Sequence, residues 1–254
     1  MNARDGSARL VVAIDGPSGS GKSSVSKEVA RRFGLAYLDT GAMYRAVTWW
    51  CLDSGVSFDD HEAVVAATET VPLEMGTDPD EERILVNGED VRSAIRGDLV
   101  TDNVSRVSTI VPAREVLVRM QQDIIRDSGF RIVAEGRDIT TVVAPDAEVR
   151  ILLTASEAAR MARRGRQLGA AASSNLEAQV VGRDAKDATV VDFMNAQDGV
   201  YLLDSSELTM EQTVQGVIDL VIRATDTTHE GTAAVPDETG ADAPRKRGNH
   251  ERIR

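Results

Sequence analysis

A single cysteine, Cys51, rules out any intrachain disulfide and fits a reducing compartment. Aromatic residues are also scarce, at 4%, so Val, Ile, Leu and Ala must fill the core. The hydrophobic content of 42% is ordinary for such a core. Positive charge is in deficit. With 29 Lys and Arg against 41 Asp and Glu, the formal charge is −12. That argues against a general nucleic-acid binder, because a phosphate backbone is held by a basic surface. A small phosphorylated ligand needs only a local cluster of Arg and Lys. No apolar run approaches the ~20 residues that span a bilayer. The opening MNARDGSARL is polar and has no signal-peptide core. The expectation is a cytoplasmic protein that engages neither nucleic acid nor membrane.

What is present alternates. Leu10–Ile14 is a short apolar run ending in Asp15-Gly16, as in a buried strand. A helix follows from Lys22, with Val25, Val29 and Phe33 on one face. Leu35–Leu38 reads as strand, and Met43–Leu52 and 59–70 as helices. Val71–Met75 and Arg83–Val86 are strand-like, and Asn87-Gly88 is a hairpin signal. Pro112 opens a helix with an apolar stripe of Val116, Met120 and Ile124, and Gly129 stops it. Ile132–Ala134 and Val149–Leu153 resemble parallel-sheet strands. A very basic helix spans Glu157–Leu168, and Tyr201–Leu203 is a last strand. Thr209 and Gln212 form a capping box before a helix lined by Val214, Val217, Ile218 and Val221. This alternation predicts an α/β domain over 10–225, its parallel sheet covered on both sides. Residues 1–9 read as an arm. Residues 226–254, rich in Thr, Gly, Pro and charge, read as a disordered tail.

One motif carries chemistry by itself. Residues 16–24, GPSGSGKSS, satisfy G-x-x-x-x-G-K-[ST] between an apolar strand and an amphipathic helix. Glycines let backbone N–H groups approach phosphate oxygens, and the helix start points its positive end at them. The expected ATP-binding residues are Gly16, Pro17, Ser18, Gly19, Ser20, Gly21, Lys22, Ser23 and Ser24. Lys22 brings a full charge toward the β- and γ-phosphates, and the Ser23 hydroxyl is placed to ligate Mg²⁺. The bland alternative is a Gly/Ser-rich turn without a ligand.

Four strings together resemble the bacterial cytidylate kinases: IDGPSGSGKSS at 14–24, YLDTGAMYRA at 37–46, AEGRDITTVVAPDA at 134–147 and VGRDAKDATV at 181–190. The resemblance covers about residues 10 to 224. It implies a P-loop kinase with a five-stranded parallel sheet and helices on both faces. Inserted segments at about 58–105 (monophosphate-binding) and 158–190 (lid) go with that fold. The implied reaction moves the ATP γ-phosphate to CMP or dCMP, with Mg²⁺, in a monomer. The implied grip on the monophosphate is Thr40, Arg45 and Arg137, with Asp39 beside them. Arg114, Asp138 and Ser105 would face the cytosine edge, and Arg183 and Asp187 the sugar. Lys22, Arg137, Arg163 and Arg183 would carry catalysis. The chemistry agrees, since Arg forks fit phosphate and a carboxylate accepts from the cytosine amine, which uracil lacks.

Alternatives stand beside these assignments. Arg45 and Arg114 could be surface arginines, and Arg137 with Asp138 a loop ion pair. Glu135 could orient Mg²⁺ through water or pair with a neighbouring arginine. His61, His229 and His250 have no partner pattern. The family usually has an arginine where this chain has Val190, which leaves lid contacts to be made otherwise. Arg160, Arg163, Arg164 and Arg166 could supply that charge, since four arginines on one helix repel unless neutralised. The rival functions are a P-loop kinase for another monophosphate or small alcohol, and a nucleotide-sensing protein without turnover.

Overall fold

The structure is a computed structural model that describes residues 8–168 and 182–230. The expected N-terminal arm and C-terminal tail fall largely outside the described residues, as does part of the expected lid.

The first strand, β1 (Leu10–Asp15), is buried along its whole length, which suits the sequence LVVAID. It lies between β6 (Arg131–Gly136) and β7 (Val149–Thr154). With β2 (Ala36–Asp39) and β8 (Tyr201–Asp204) they form a five-stranded parallel sheet in the order β2-β6-β1-β7-β8. Side chains alternate between faces, as the strand period demands. Val11, Ala13, Ile132 and Ala134 pack into one core with α2 (Thr40–Asp53) and α5 (Val111–Asp127). Val12, Ile14, Val133 and Ile151 pack on the other face against α1 (Lys22–Phe33) and α8 (Met210–Glu230). Both faces are therefore covered, and the strands read as continuous apolar runs.

Strand register brings the carboxyl ends of the central strands level. Asp15 lies beside both Gly136 and Leu152, Asp39 beside Glu135, and Thr154 beside Asp204. Residues just past these ends share one edge of the sheet, where ligand clefts of open α/β sheets form.

Most helices lie within a few residues of the expected places. The capping box holds in both directions: Thr209 N–H donates to Gln212 Oε1 at 2.9 Å, and Gln212 N–H to Thr209 Oγ1 at 3.2 Å. Helix α8 continues to Glu230, past residue 225 where the pattern fades. In α5 the buried face centres on Leu117, Gln121 and Ile125 with Val116, so Met120 and Ile124 sit at its edge.

Between α2 and α5 the chain forms α3 (His61–Thr70) and a small antiparallel sheet of β3 (Leu73–Met75), β4 (Ile84–Val86) and β5 (Glu89–Asp90). Asn87 and Gly88 turn it with φ of 51° and 77°, the positive pair that a tight hairpin needs. A short 3₁₀ turn (Ala94–Arg96) and α4 (Asp98–Ser108) follow. Helix α4 is absent from the sequence reading. Its polar and β-branched residues are poor helix formers, and burial of Val100, Val104 and Val107 overrides that propensity. The basic helix α6 runs over Glu157–Leu168, and α7 over Arg183–Asp187.

Candidate active site

Beyond β1 the chain turns so tightly that a side chain at Gly16 is impossible. A Cβ there would lie 2.2 Å from the Leu153 carbonyl oxygen. The Gly16 N–H donates to the Gly136 carbonyl at 3.3 Å, tying the phosphate loop to the end of β6. Gly21 reaches φ +94° immediately before α1, a conformation few L residues adopt. Ser18, Gly19 and Gly21 to Ser24 line a cleft of about 490 Å³. Gly16, Pro17 and Ser20 are buried beneath that surface. Lys22 Nζ donates to the Pro17 carbonyl at 3.3 Å.

The facing wall comes from the end of β6. Arg137 Nε meets Asp187 at 2.6 Å, and one terminal nitrogen meets Asp184 at 2.9 Å. The same guanidinium donates to the Gly16 carbonyl at 3.2 Å and to Ser18 Oγ at 3.0 Å. Asp138 pairs with Arg114 rather than with its neighbour Arg137. Arg114 also donates to the Ser108 carbonyl at 2.9 Å, and Ser108 Oγ donates to Asp187 at 2.9 Å. Arg114, Arg137, Asp138 and Asp187 all line the cleft.

A third side is built from α2 and α4. Asp39 caps α2, accepting from the Ala42 N–H at 2.9 Å. Thr40 Oγ1 donates to the Glu135 carbonyl at 2.9 Å. Arg45 reaches Thr101 Oγ1 at 2.9 Å and the Ile95 carbonyl at 3.1 Å. All three line the cleft. Ser105 does not; it is buried in α4, and the helix presents Thr101 and Ser108 to the cleft instead. Arg183 opens α7, and its side chain lies outside what the structure describes.

Sequence reasoning missed Lys27, Tyr37, Tyr44, Arg96, Thr101 and Ser108, which also line the cleft. Two signals were available. Lys27 is one helical turn past Ser23, and both tyrosines lie within the YLDTGAMYRA string. Arg96, Thr101 and Ser108 lie in a segment with no helix in the sequence reading, although Val100, Val104 and Val107 recur at helical spacing.

Two arginines of the basic helix α6 are engaged by the protein itself. Arg160 is buried, pairs with Asp184, and donates to the Ser18 carbonyl at 3.0 Å. Arg163 donates to the Ser20 carbonyl at 2.9 Å and the Ser205 carbonyl at 2.6 Å. Arg164 lines the cleft, where burial first and Arg96 second hold its guanidinium below the ordinary value. Two arginines brought together at one cleft favour an anion there.

Burial raises three of the buried carboxyls around the cleft. Glu135 accepts from the Tyr37 hydroxyl at 3.1 Å and lies near Lys22, Ser23 and Asp39. Burial, then Asp39, pushes it up to about 7. Asp15, at the end of β1, is raised to about 6 by burial. Burial also raises Asp138, with Arg114 opposing the shift. Asp138 lines the cleft and Asp15 and Glu135 lie buried behind it, a clustering of perturbed groups that favours a functional site.

Residues 12–223 match the family model described as Cytidylate kinase. The chain belongs to the cytidylate kinase family. A curated Cytidylate kinase from Cutibacterium acnes is 46% identical over 215 residues, 84% of this chain and 96% of that protein. Proteins of the same name from Nocardia farcinica and Rhodococcus opacus are 49% and 48% identical over 211 and 210 residues. Those alignments cover 81% of this chain in both cases, and 90% and 91% of the two relatives. All four strings behind the resemblance to cytidylate kinases fall wholly or largely within the described residues and border the cleft.

The Glu135 carboxyl yields a pH test. In the folded chain it loses its proton near pH 7, against an ordinary 4.5 when unfolded. A raised folded value stabilises the protonated form, so the contribution is fully present below about 4.5 and is lost as pH rises through about 7. Glu135→Gln stays neutral throughout. In ligand-free protein its Tm should gain on wild type as pH rises across that window. A Tm difference that is flat with pH contradicts an uncharged, buried Glu135.

Proposed function

We propose that this chain transfers the γ-phosphate of ATP to CMP or dCMP, giving ADP and CDP or dCDP. The observation that carries this reading is the Arg114–Asp138 pair in the same cleft as the phosphate loop. A phosphate loop alone fits any small kinase. A carboxylate and a guanidinium side by side match the amine donor and the acceptors of cytosine, and mismatch uracil.

The phosphate loop from Gly16 to Ser24 takes the ATP phosphates, with backbone N–H groups and Lys22 facing the β- and γ-phosphates. Thr40, Arg45 and Arg137 take the monophosphate, with Asp39 holding the start of α2 beneath Thr40. Asp187 and Arg183 serve the sugar. Ser105 supports the base-facing wall from within α4, where Ser108 and Thr101 reach the cleft. Arg163 acts through the loop it holds from behind.

Mg²⁺ suits the donors present. Ser23 offers a hydroxyl at the loop, and Glu135 a buried carboxylate behind it, an all-oxygen set. Among the described residues no group of three or more His, Cys, Asp or Glu could hold a metal. This fits an ion held chiefly by nucleotide phosphates, with Ser23 as direct ligand and Glu135 acting through water. When bound, the ion neutralises charge on the phosphates. The arginines and Lys22 align the acceptor oxygen with the γ-phosphorus and stabilise charge as that bond forms and the bond to ADP breaks. The acceptor is already a phosphate oxygen, so no strong general base is required.

Residues 58–105 form the monophosphate-side insertion and 158–190 the lid, which together keep water from the γ-phosphate. The protein acts as a monomer without nucleic acid or membrane. No helix among the described residues is long and apolar enough to cross a membrane.

Lys22→Ala should lower kcat by about 10²-fold or more with Tm nearly unchanged, because Lys22 faces ligand and not core. An equal fall in stability and activity would mean a structural role. Asp138→Ala should shrink the ratio of kcat/KM for CMP to that for UMP by about ten- to hundredfold. Equal loss on both substrates would remove Asp138 as the base reader.

A further inference from the structure

Asp138 stands at an unusual place for a residue that faces a ligand. It directly precedes a π turn, Ile139–Val143, and occupies its N-cap position. An aspartate there ordinarily folds its carboxylate back onto the exposed N–H groups of the turn it begins. Asp138 makes no such bond. Its carboxylate is turned to Arg114 and the cleft.

The N–H groups that Asp138 leaves alone are nevertheless satisfied. Asp15, buried at the end of β1, reaches across the sheet to them. The Ile139 N–H donates to Asp15 Oδ1 at 2.9 Å, and the Thr140 N–H to Oδ2 at 2.9 Å. Thr140 Oγ1 donates to the same Oδ2 at 2.6 Å. Both carboxylate oxygens are thus used, and the first two amides of the turn are occupied. Such groups must find a partner when buried. Without Asp15 these amides would compete for the carboxylate of Asp138, which stands at the N-cap of the turn.

We infer that Asp15 is a positioning residue for base selection: by capping the 139–143 turn from the neighbouring strand, it leaves the Asp138 carboxylate turned to the cleft beside Arg114, where it can meet cytosine. The inference rests on the proposal that Asp138 reads the base. Asp15 is buried and does not line the cleft. It immediately precedes the phosphate loop in sequence, but its carboxylate serves only the 139–140 end of the turn.

The experiment is steady-state kinetics on CMP and UMP, with KM for ATP measured separately, in four proteins: wild type, Asp15→Asn, Thr140→Val and Thr140→Ser. Asp15→Asn keeps the shape but replaces one acceptor oxygen with an amide donor, so one of the two N–H groups loses its partner. It should lower the CMP-to-UMP ratio of kcat/KM about tenfold or more, chiefly through KM for CMP. KM for ATP should stay within about twofold of wild type. Thr140→Val removes one of the three bonds and should lower the ratio about threefold. Thr140→Ser retains the hydroxyl and should restore the wild-type ratio. If Asp15→Asn does not fold, Thr140→Val against Thr140→Ser decides the matter.

A wild type that prefers CMP, with the preference intact in Asp15→Asn and Thr140→Val, overturns the inference and leaves the base-reading proposal standing. Loss on CMP and UMP alike, or a shift in KM for ATP as large as that for CMP, reduces Asp15 to a general structural role and overturns it too. A wild type that uses UMP as well as CMP overturns the base-reading proposal and this inference with it.

Discussion

The geometry of the cleft turns on the Arg137 guanidinium. It stacks 4.7 Å from the ring centre of Phe193 and binds carboxylates of Asp184 and Asp187 from α7. It also holds the Gly16 carbonyl and Ser18 hydroxyl of the phosphate loop. One side chain therefore joins the end of β6, the loop after β1 and the short helix α7. A partly buried charge must be paired or it costs several kcal/mol. In this structure the carboxylates of α7 supply that pairing. Asp184 extends it, accepting from the Ser18 N–H at 3.0 Å and pairing with Arg160. Because Asp187 also lines the cleft, Arg137 is held there in a fixed orientation by its partners.

The carboxyls around this hub are stability liabilities. Burial raises Asp15, Glu135 and Asp138 alike, so each is charged only at an energetic cost. A chain selected for stability alone would place apolar residues in such sites. The carboxyls cluster at the sheet edge, next to the phosphate loop, where perturbed groups of functional sites gather. The net charge of −12 is compatible with binding two polyanions because the arginines are local. Arg45, Arg96, Arg114, Arg137 and Arg164 converge on one cleft.

Much of this was legible in the sequence. The strands β1, β6 and β7 announce themselves as apolar, β-branched runs, because both of their faces are buried. Lys22, Thr40, Arg45, Arg137 and Asp138 sit in strings whose order alone brings them to one edge of a parallel sheet. The hairpin at Asn87-Gly88 and the cap at Thr209 follow from local chemistry. Other features depend on contacts remote in sequence. Helix α4 forms because its valines find a core, and the 139–143 turn forms where Asp15, more than 120 residues earlier, caps it. The basic character of α6 suggested ligand charge, yet Arg160 and Arg163 serve the backbone of the phosphate loop. No local pattern distinguishes an arginine facing a carbonyl from one facing a phosphate.

The central claim is that one cleft joins a phosphate loop to a cytosine-selective acceptor side. Its most direct test is ADP release from ATP with Mg²⁺ across a panel of acceptors: CMP, dCMP, UMP and AMP, and no acceptor. The account predicts turnover that depends on acceptor, with CMP or dCMP favoured over UMP and AMP by about tenfold or more. Release that is as fast with UMP or AMP, or that proceeds equally without an acceptor, would contradict it.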